Sequence, residues 1–528
     1  MGVRQITSEL TPQGYRLFHI NGKNILIRGG GYTFDMLLRS SPEEQENHVR
    51  YLRDLNLNTV RLEGKLEDDH FFDLCDRYGI LVLAGWCCCD HLERWKTWQD
   101  EDFVIARSSL EDQIRRLRSH ACMLDWLNGS DNPPPPKVEE MYVKILKDTD
   151  WPNPYQSSAT AKPTTVTGES GVKMTGPYEY VAPAYWLADK EHGGAYGFNS
   201  LKLFIPPDHL WPIDDVWDYH AGGGEFKTIQ VFRQALEARY GPSSGVEDFA
   251  EKSQVMAYEG ERAMFEAYGR NKYVSTGVVQ WMLDNAWPSL IWHLYDYYWR
   301  PGGSYFGAKK ACEPLHIQYA YDDRSVYVVN SFYRSFEGLK AEARVYNLDL
   351  AEKYSKEASV DAGSDSTTKV LTIPDLPDLS PTYFVRLDLK DSLGNVASRN
   401  FYWLSTQPDV LDWGNSKWYY TPTKSFSDMK SLATLPQVKV TLSGRFEPRG
   451  DEGLAAVTVE NPSQSLAFFV HLRVAKPDGE EVLPALWEDN YFPLFPKEKR
   501  QVSARYYLKD AGNAAPSIHV DGWNVTPE

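Results

Sequence analysis

Residues 24–86 read NILIRGGGYTFDMLLRSSPEEQENHVRYLRDLNLNTVRLEGKLEDDHFFDLCDRYGILVLAGW. Three apolar runs, NILIRGGGY, NTVRLEG and ILVLAGW, alternate here with two amphipathic stretches. Apolar strands joined by helical crossovers predict a parallel sheet covered by helices. The first crossover marks its own start, because Ser41 can cap, Pro42 suits the first helical position and Glu44 completes a capping box. Val49, Leu52 and Leu55 then form its buried stripe. The second begins near Asp68, sets Phe71, Phe72 and Cys75 on one side, and stops at Gly79, which can take the left-handed C-terminal conformation.

The alternation continues outward. Further strand candidates are MLDWLNGSD, TTVTGES, PYEYVAP, AYGFN and TGVVQWMLDN, with helical patterns at FVIARSSLEDQIRRLRSH, KVEEMYVKILKD, FKTIQVFRQALEARYG and VEDFAEKSQVMAYEGERAMFEAYGRN. Eight strands close a (β/α)8 TIM barrel, the α/β fold expected for residues 1–310. Beyond Pro314 the texture changes to short alternating strands such as RSVYVVNSF, KAEARVYNL and NFYWLST, and a second such series starts near Trp413 with AAVTVENPS, LAFFVHLRVA and QVSARYYL. Two β-sandwich (immunoglobulin-like) domains are therefore expected, at 311–408 and 409–528.

Composition narrows the partners. With 528 residues, 42% apolar and 24% charged, the chain has the balance of a multidomain globular protein. A net charge of −17 repels nucleic acid and anionic membrane and attracts a polycation. No run of 18 apolar residues appears, and the start, MGVRQITSELTPQGY, lacks the apolar core of an export signal, so neither a membrane nor a nucleic-acid partner is expected. The six cysteines (Cys75, Cys87, Cys88, Cys89, Cys122 and Cys312) suit neither a disulfide framework nor a zinc knuckle. Strand alternation through 87–89 would turn Cys88 away from its neighbours, and all six are expected to be buried apolar residues.

In a parallel barrel the chemistry sits where the strands end. Those ends carry Arg61 and Glu63; Asn128, Ser130 and Asp131; Glu169; Tyr178, Glu179 and Tyr180; Asn199; and Trp281 and Asp284. Carboxylates and aromatics without a histidine cluster, phosphate loop or thiol–base pair suggest glycoside hydrolysis, which needs one acid and one nucleophile or base, and no cofactor or metal. Plainer roles exist for the same residues. Asn128–Asn132 is ordinary turn chemistry, Glu63 can simply pair with Arg61, and Trp281 can be core.

The stretches LIRGGGY, NTVRLEG, GSD, TGPYEYV, GGAYGFN, WMLDNAW, GAKKACEPLHIQY, YWLST and WYYTP resemble the exo-β-D-glucosaminidases, a branch of glycoside hydrolase family 2 that trims glucosamine from the non-reducing ends of chitosan. The resemblance covers nearly the whole chain and implies a retaining mechanism and an extracellular setting. It makes Asp131 the general acid/base and Glu63 the partner of the sugar's 2-ammonium group, with Tyr178 and Trp281 as ring contacts and Ser130 beside the acid. Chitosan is a polycation, which the acidic net charge suits.

The chain also departs from the family pattern. Gly197-Phe198-Asn199 runs into Ser200-Leu201-Lys202, and no carboxylate follows Asn199 until Asp208, so the nucleophilic Glu and its loop are expected to be missing. Cys87 replaces the Glu of a Gly-Trp-Glu-Cys-Cys pattern. The chain starts at what matches the last strand before the barrel, so the family's two N-terminal β domains are expected to be absent too. Impaired turnover follows, with Glu169 or Glu179 as the available substitutes for the nucleophile. The alternatives are a non-catalytic amino-sugar-binding protein and a family 2 β-mannosidase or β-galactosidase; Asp131 and Glu63 weigh against the latter pair. The sequence sets no oligomeric state. Of two glycosylation sequons, Asn128 lies in the proposed cleft, which leaves Asn524 as the candidate acceptor.

Overall fold

The computed structural model describes residues 4–174, 176–188, 201–221, 228–512 and 515–527. It divides into two compact units, the first built chiefly from Met1–Pro177 and Asn271–Trp287, the second from Tyr178–Lys190, Ala195–Arg270 and Pro288–Glu528.

The first unit opens with an antiparallel sheet, β1 (Ile6–Leu10), β2 (Arg16–Ile20) and β3 (Lys23–Ile25). A parallel sheet follows, built from β4 (Ile27–Tyr32), β5 (Thr59–Leu62), β6 (Leu81–Gly85), β7 (Met123–Leu127), β8 (Tyr155–Gln156) and β9 (Gly277–Gln280). Its order is β8-β7-β6-β5-β4-β9, so the last strand in sequence lies beside the first. Strands β5, β6 and β7 are buried along their whole length, which is why they read as predominantly apolar runs, broken only by Thr59 and Arg61 in β5 and Asp125 in β7. Ile6 and Phe18 of the small sheet share a core with Ile27, Leu81, Leu83, Leu124 and Leu127.

The helices of this unit begin and end where local chemistry directs. Helix α1 (Pro42–Asp54) is capped by Ser41, whose Oγ accepts from the Glu44 amide and donates to the Glu44 carboxylate. Helix α2 (Asp69–Tyr78) is capped by Asp68 and stopped by Gly79 at φ 70°. Helices α3 (Asp100–Leu117) and α4 (Pro136–Asp148) cover the next two crossovers.

Three strand expectations end differently. The fifth parallel strand is Tyr155–Gln156 and not TTVTGES; the latter folds into a turn in which the Thr164 and Gly168 backbones bond each other and the Thr164 and Thr167 hydroxyls donate to Glu139. PYEYVAP forms no strand, because the Tyr178 and Glu179 amides both donate to the Tyr419 carbonyl instead of to a ladder. AYGFN lies outside the described residues.

The second unit contains the long helices Thr228–Tyr240 and Val246–Arg270 and two β modules. In the first module the strands Leu315–Tyr319, Ser325–Asn330 and Ser366–Thr372 form one sheet. Glu352–Ala362, Phe336–Asn347, Thr382–Lys390 and Val396–Ser405 form another, and the two share an apolar core that includes Ile317, Val328, Val345, Leu387 and Tyr402. The second module pairs Thr441–Arg449, Glu452–Glu460, Lys499–Tyr507 and Ala485–Trp487, and separately Phe492–Leu494, Ala467–Ala475 and Ser517–Asp521. Strand Glu452–Glu460 alternates buried and half-buried residues without a break, the period-2 pattern that the sequence displays.

Asn524 is not a glycan acceptor surface. It is 1% exposed, its amide nitrogen donates to the Pro436 and Leu466 carbonyls, and its Oδ1 accepts from the Phe468 amide.

Candidate active site

Arg61 and Glu63 stand two residues apart at the C-terminal end of β5, so their side chains share a face. The Arg61 Nη2 donates to Glu63 Oε1 at 2.6 Å and to Ser130 Oγ at 3.0 Å. The Ser130 hydroxyl donates in turn to the same Glu63 oxygen. Arg61 Nη1 reaches the Met174 sulfur at 3.4 Å, and its guanidinium carbon lies 5.9 Å from the centroid of the Trp281 ring. The ion pair that the sequence allowed as a plain structural role is therefore present. It occupies Oε1 only, and Glu63 Oε2 has no hydrogen-bond partner among the described residues. The Glu63 carboxylate is thus only 9% exposed and half satisfied by hydrogen bonds.

Glycines bring these groups together. A Cβ on Gly31 would sit 2.5 Å from the Trp281 ring, so only glycine lets that ring lie against β4. A Cβ on Gly129 would meet the Asn132 carbonyl at 2.3 Å, so the Asn128–Asn132 turn needs glycine to close as tightly as it does. The turn is real, and it presents Ser130 inward and Asp131 outward. Partial burial, reinforced by the charge of Glu63, raises the Asp131 carboxyl above the usual carboxylate range, against the opposing pull of Arg61 and Lys162. That is the direction a proton donor requires. Asn128 is fully buried, and neither amide atom of its side chain has a partner among the described residues.

Glu63, Ser130 and Trp281 thus gather around Arg61, and Asp131 follows Ser130 directly. Tyr178 belongs to the second unit, where its ring meets Trp292 at 5.7 Å and Trp418 at 5.8 Å and its carbonyl accepts from the Trp292 indole. Asp284 is buried at the start of the loop after β9. It is 4% exposed, accepts from the Thr33 amide and hydroxyl, and burial pushes its carboxyl up to about 7. Glu169 lies on an exposed turn, and Asn199 lies outside the described residues.

The cysteines correct one expectation. Cys75, Cys87, Cys122 and Cys312 are buried, but Cys88 is only partly covered and Cys89 is exposed. The reason is that β6 ends at Gly85, so 87–89 follow a loop and strand alternation does not apply. Sequence reasoning also missed Glu93, whose carboxylate accepts from the amides of Cys89 at 2.9 Å and Asn132 at 3.0 Å and so ties the two loops together. Trp292 and Trp418 beside Tyr178 were missed as well; the WYYTP stretch was the available signal for the second of them.

Residues 418–525 match the family described as the exo-beta-D-glucosaminidase Ig-fold domain, and residues 322–407 match the mannosidase Ig/CBM-like domain. The exo-beta-D-glucosaminidase of Streptomyces avermitilis is 41% identical over 100% of this chain and 62% of its own length. That of Amycolatopsis orientalis is 40% identical over 99% of this chain and 54% of its own length. The chain therefore spans a little over half the length of these curated relatives. The crystal structure of the Amycolatopsis orientalis exo-chitosanase CsxA superposes with a TM-score of 0.96 at 38% identity, covering 100% of this chain and 66% of that one. A complex of the same enzyme with PNP-beta-D-glucosamine superposes at 0.95.

Proposed function

We propose that the chain, which is similar over its whole length to exo-β-D-glucosaminidases, is a member of that family and binds the terminal glucosamine of chitosan or chitooligosaccharides in the manner of an exo-acting, retaining glycosidase. Asp131 is the proton donor to the leaving oxygen, Glu63 receives the 2-ammonium group, Ser130 sets the Glu63 carboxylate, and Tyr178 and Trp281 are the aromatic sugar contacts. The observation that carries this reading is the half-satisfied Glu63 beside a carboxyl whose pKa is raised. Among the described residues Glu63 keeps Oε2 free for a second donor beside its ion pair with Arg61, and a protonated Asp131 is what bond cleavage needs.

In the same proposal the parallel sheet belongs to a (β/α)8 barrel spanning 1–310, supported by the seating of β9 against β4. Immunoglobulin-like domains at 311–408 and 409–528 are supported by the two domain matches. An extracellular site of action fits the polymeric substrate. Turnover in this chain is impaired, since no carboxylate follows Asn199 until Asp208 and a retaining enzyme needs a nucleophile there. The alignment with the Streptomyces relative runs over 563 positions against 528 residues here, which is consistent with missing segments. That observation also favours a second reading, an amino-sugar-binding protein that has lost hydrolysis.

The test is incubation with chitosan oligosaccharides while glucosamine release is followed, with Asp131→Asn as control. Release no faster than the control, together with calorimetric binding of glucosamine, is expected. Release well above the control would overturn the impairment, and absence of both binding and release would overturn the glucosamine site.

A further inference from the structure

The loops after β6 and β7 hold four donor atoms that neither the fold nor the proposed hydrolysis uses as a group. Cys88 Sγ and Cys89 Sγ are 3.1 Å apart, and Cys89 Sγ is 4.0 Å from Asp131 Oδ2. Glu93 supplies a fourth donor, and one ligand atom from each of the four residues falls within 4.8 Å of every other. In a tetrahedral zinc site, with bonds of about 2.3 Å to sulfur and about 2.0 Å to oxygen, ligand atoms stand some 3.3–3.8 Å apart. The four groups need only small rotations to meet that geometry.

The arrangement is prepared in three ways. Glu93 is oriented by the amides of Cys89 and Asn132, so its carboxylate is held between the two loops. Cys87 is turned away, its thiol lying 3.4 Å from the Asn128 carbonyl in the interior, so the triple-cysteine run offers two thiols and not three. Cys89 is exposed and Cys88 partly so, which gives an ion a way in. The other thiol-containing cluster, Asp76, His120 and Cys122, lacks this openness. Its Cys122 is buried, and Asp76 is already engaged by the His120 ring and the Cys122 amide.

We propose that Cys88, Cys89, Glu93 and Asp131 form a binding site for a single thiophilic divalent cation of the zinc or cadmium class. As the two sulfur–metal bonds form, both thiol protons leave to solvent; the two thiolates offset the ion's two charges, and the two carboxylates complete a two-sulfur, two-oxygen set that leaves the centre anionic. Binding takes up the Asp131 carboxylate. On the proposed function, the ion therefore removes the proton donor and blocks glycoside cleavage; metal binding itself does not depend on that function.

The experiment is a titration of the reduced full-length chain with cadmium, following the ultraviolet thiolate-to-cadmium charge-transfer absorption. One saturable equivalent is expected. The band disappears in the Cys88→Ser/Cys89→Ser double variant and falls by about half in Cys89→Ser alone, which leaves one thiolate ligand. It persists in Cys122→Ser. Asp131→Asn keeps the band but weakens binding tenfold or more, as loss of a ligand should. Retention of the band without the vicinal thiols, its loss in Cys122→Ser, or unchanged affinity in Asp131→Asn would each overturn the site. None of these readouts requires the chain to release glucosamine.

Discussion

Two arginine–carboxylate clusters, one in each unit, differ in how fully their carboxylates are engaged. In the second unit Arg239 is 0% exposed and is held by Glu259 at 2.5 Å and by both oxygens of Asp409 at 2.8 and 2.9 Å. Ser427 adds its amide and hydroxyl to Asp409. The network is buried, and it joins the helices Thr228–Tyr240 and Val246–Arg270 to the segment after the first β module. In the first unit Arg61 has one carboxylate partner, that partner keeps an oxygen unpaired among the described residues, and the cluster ends at the exposed Asp131. The first arrangement engages its carboxylates within the fold, and the second leaves one carboxylate oxygen unpaired among the described residues.

This contrast sets the expected effects. Arg239→Ala leaves Glu259 and Asp409 buried without their counter-charge and is expected to cost about 3–5 kcal/mol in denaturant unfolding, the largest loss among these changes. Glu63→Gln removes the counter-charge of one arginine but keeps an oxygen for Arg61 and Ser130, so it is expected to cost about 2–3 kcal/mol of stability, less than Arg239→Ala. A loss as large as that of Arg239→Ala would make the Glu63 cluster structural too and erase the contrast.

A pH titration sharpens it within the first unit. Burial pushes the carboxyls of Asp125 and Asp284 up to about 7, above their unfolded value near 4. Because the folded pKa is the higher, these groups contribute stability that is fully present below about pH 4 and is lost as pH rises through 7. Between those limits each site contributes a loss of roughly 1.4 kcal/mol per pH unit, and Asp125→Asn should flatten the fall of the urea midpoint. An unchanged slope would show that Asp125 ionises normally. The smallest effect is expected for Trp418→Ala. This ring is 55% exposed, so stability should move by no more than about 0.5 kcal/mol, while oligosaccharide affinity falls through its contact with Tyr178. Unchanged affinity would count against Tyr178, the ring that Trp418 packs on, as a sugar contact.

Much of the first unit was legible because its signals are local. The caps at Ser41, Asp68 and Gly79 and the buried runs of β5, β6 and β7 each lie within a few residues. The pairing of Arg61 with Glu63 was legible for the same reason, since a strand places alternate residues on one face. The fifth strand was not, because it is two residues long while the β-branched TTVT stretch is used for a hydroxyl-bonded turn. The exposure of Cys89 depends on where β6 stops, and the Ser130–Glu63 bond joins residues 67 positions apart. Such long-range contacts leave no periodic trace in a single sequence. Family resemblance supplied Ser130 and Tyr178 as site residues, while Trp292 and Glu93 emerged only from the fold.

Recognition of a cationic sugar by Glu63 is tested most directly by calorimetric titration of glucosamine and of glucose into the wild-type chain and into Glu63→Gln. The expected result is a preference for glucosamine in the wild type that falls about tenfold or more in the variant, with glucose unaffected. Equal weakening for both sugars, or glucosamine binding that survives unchanged in the variant, would contradict the assignment of Glu63 as the ammonium partner.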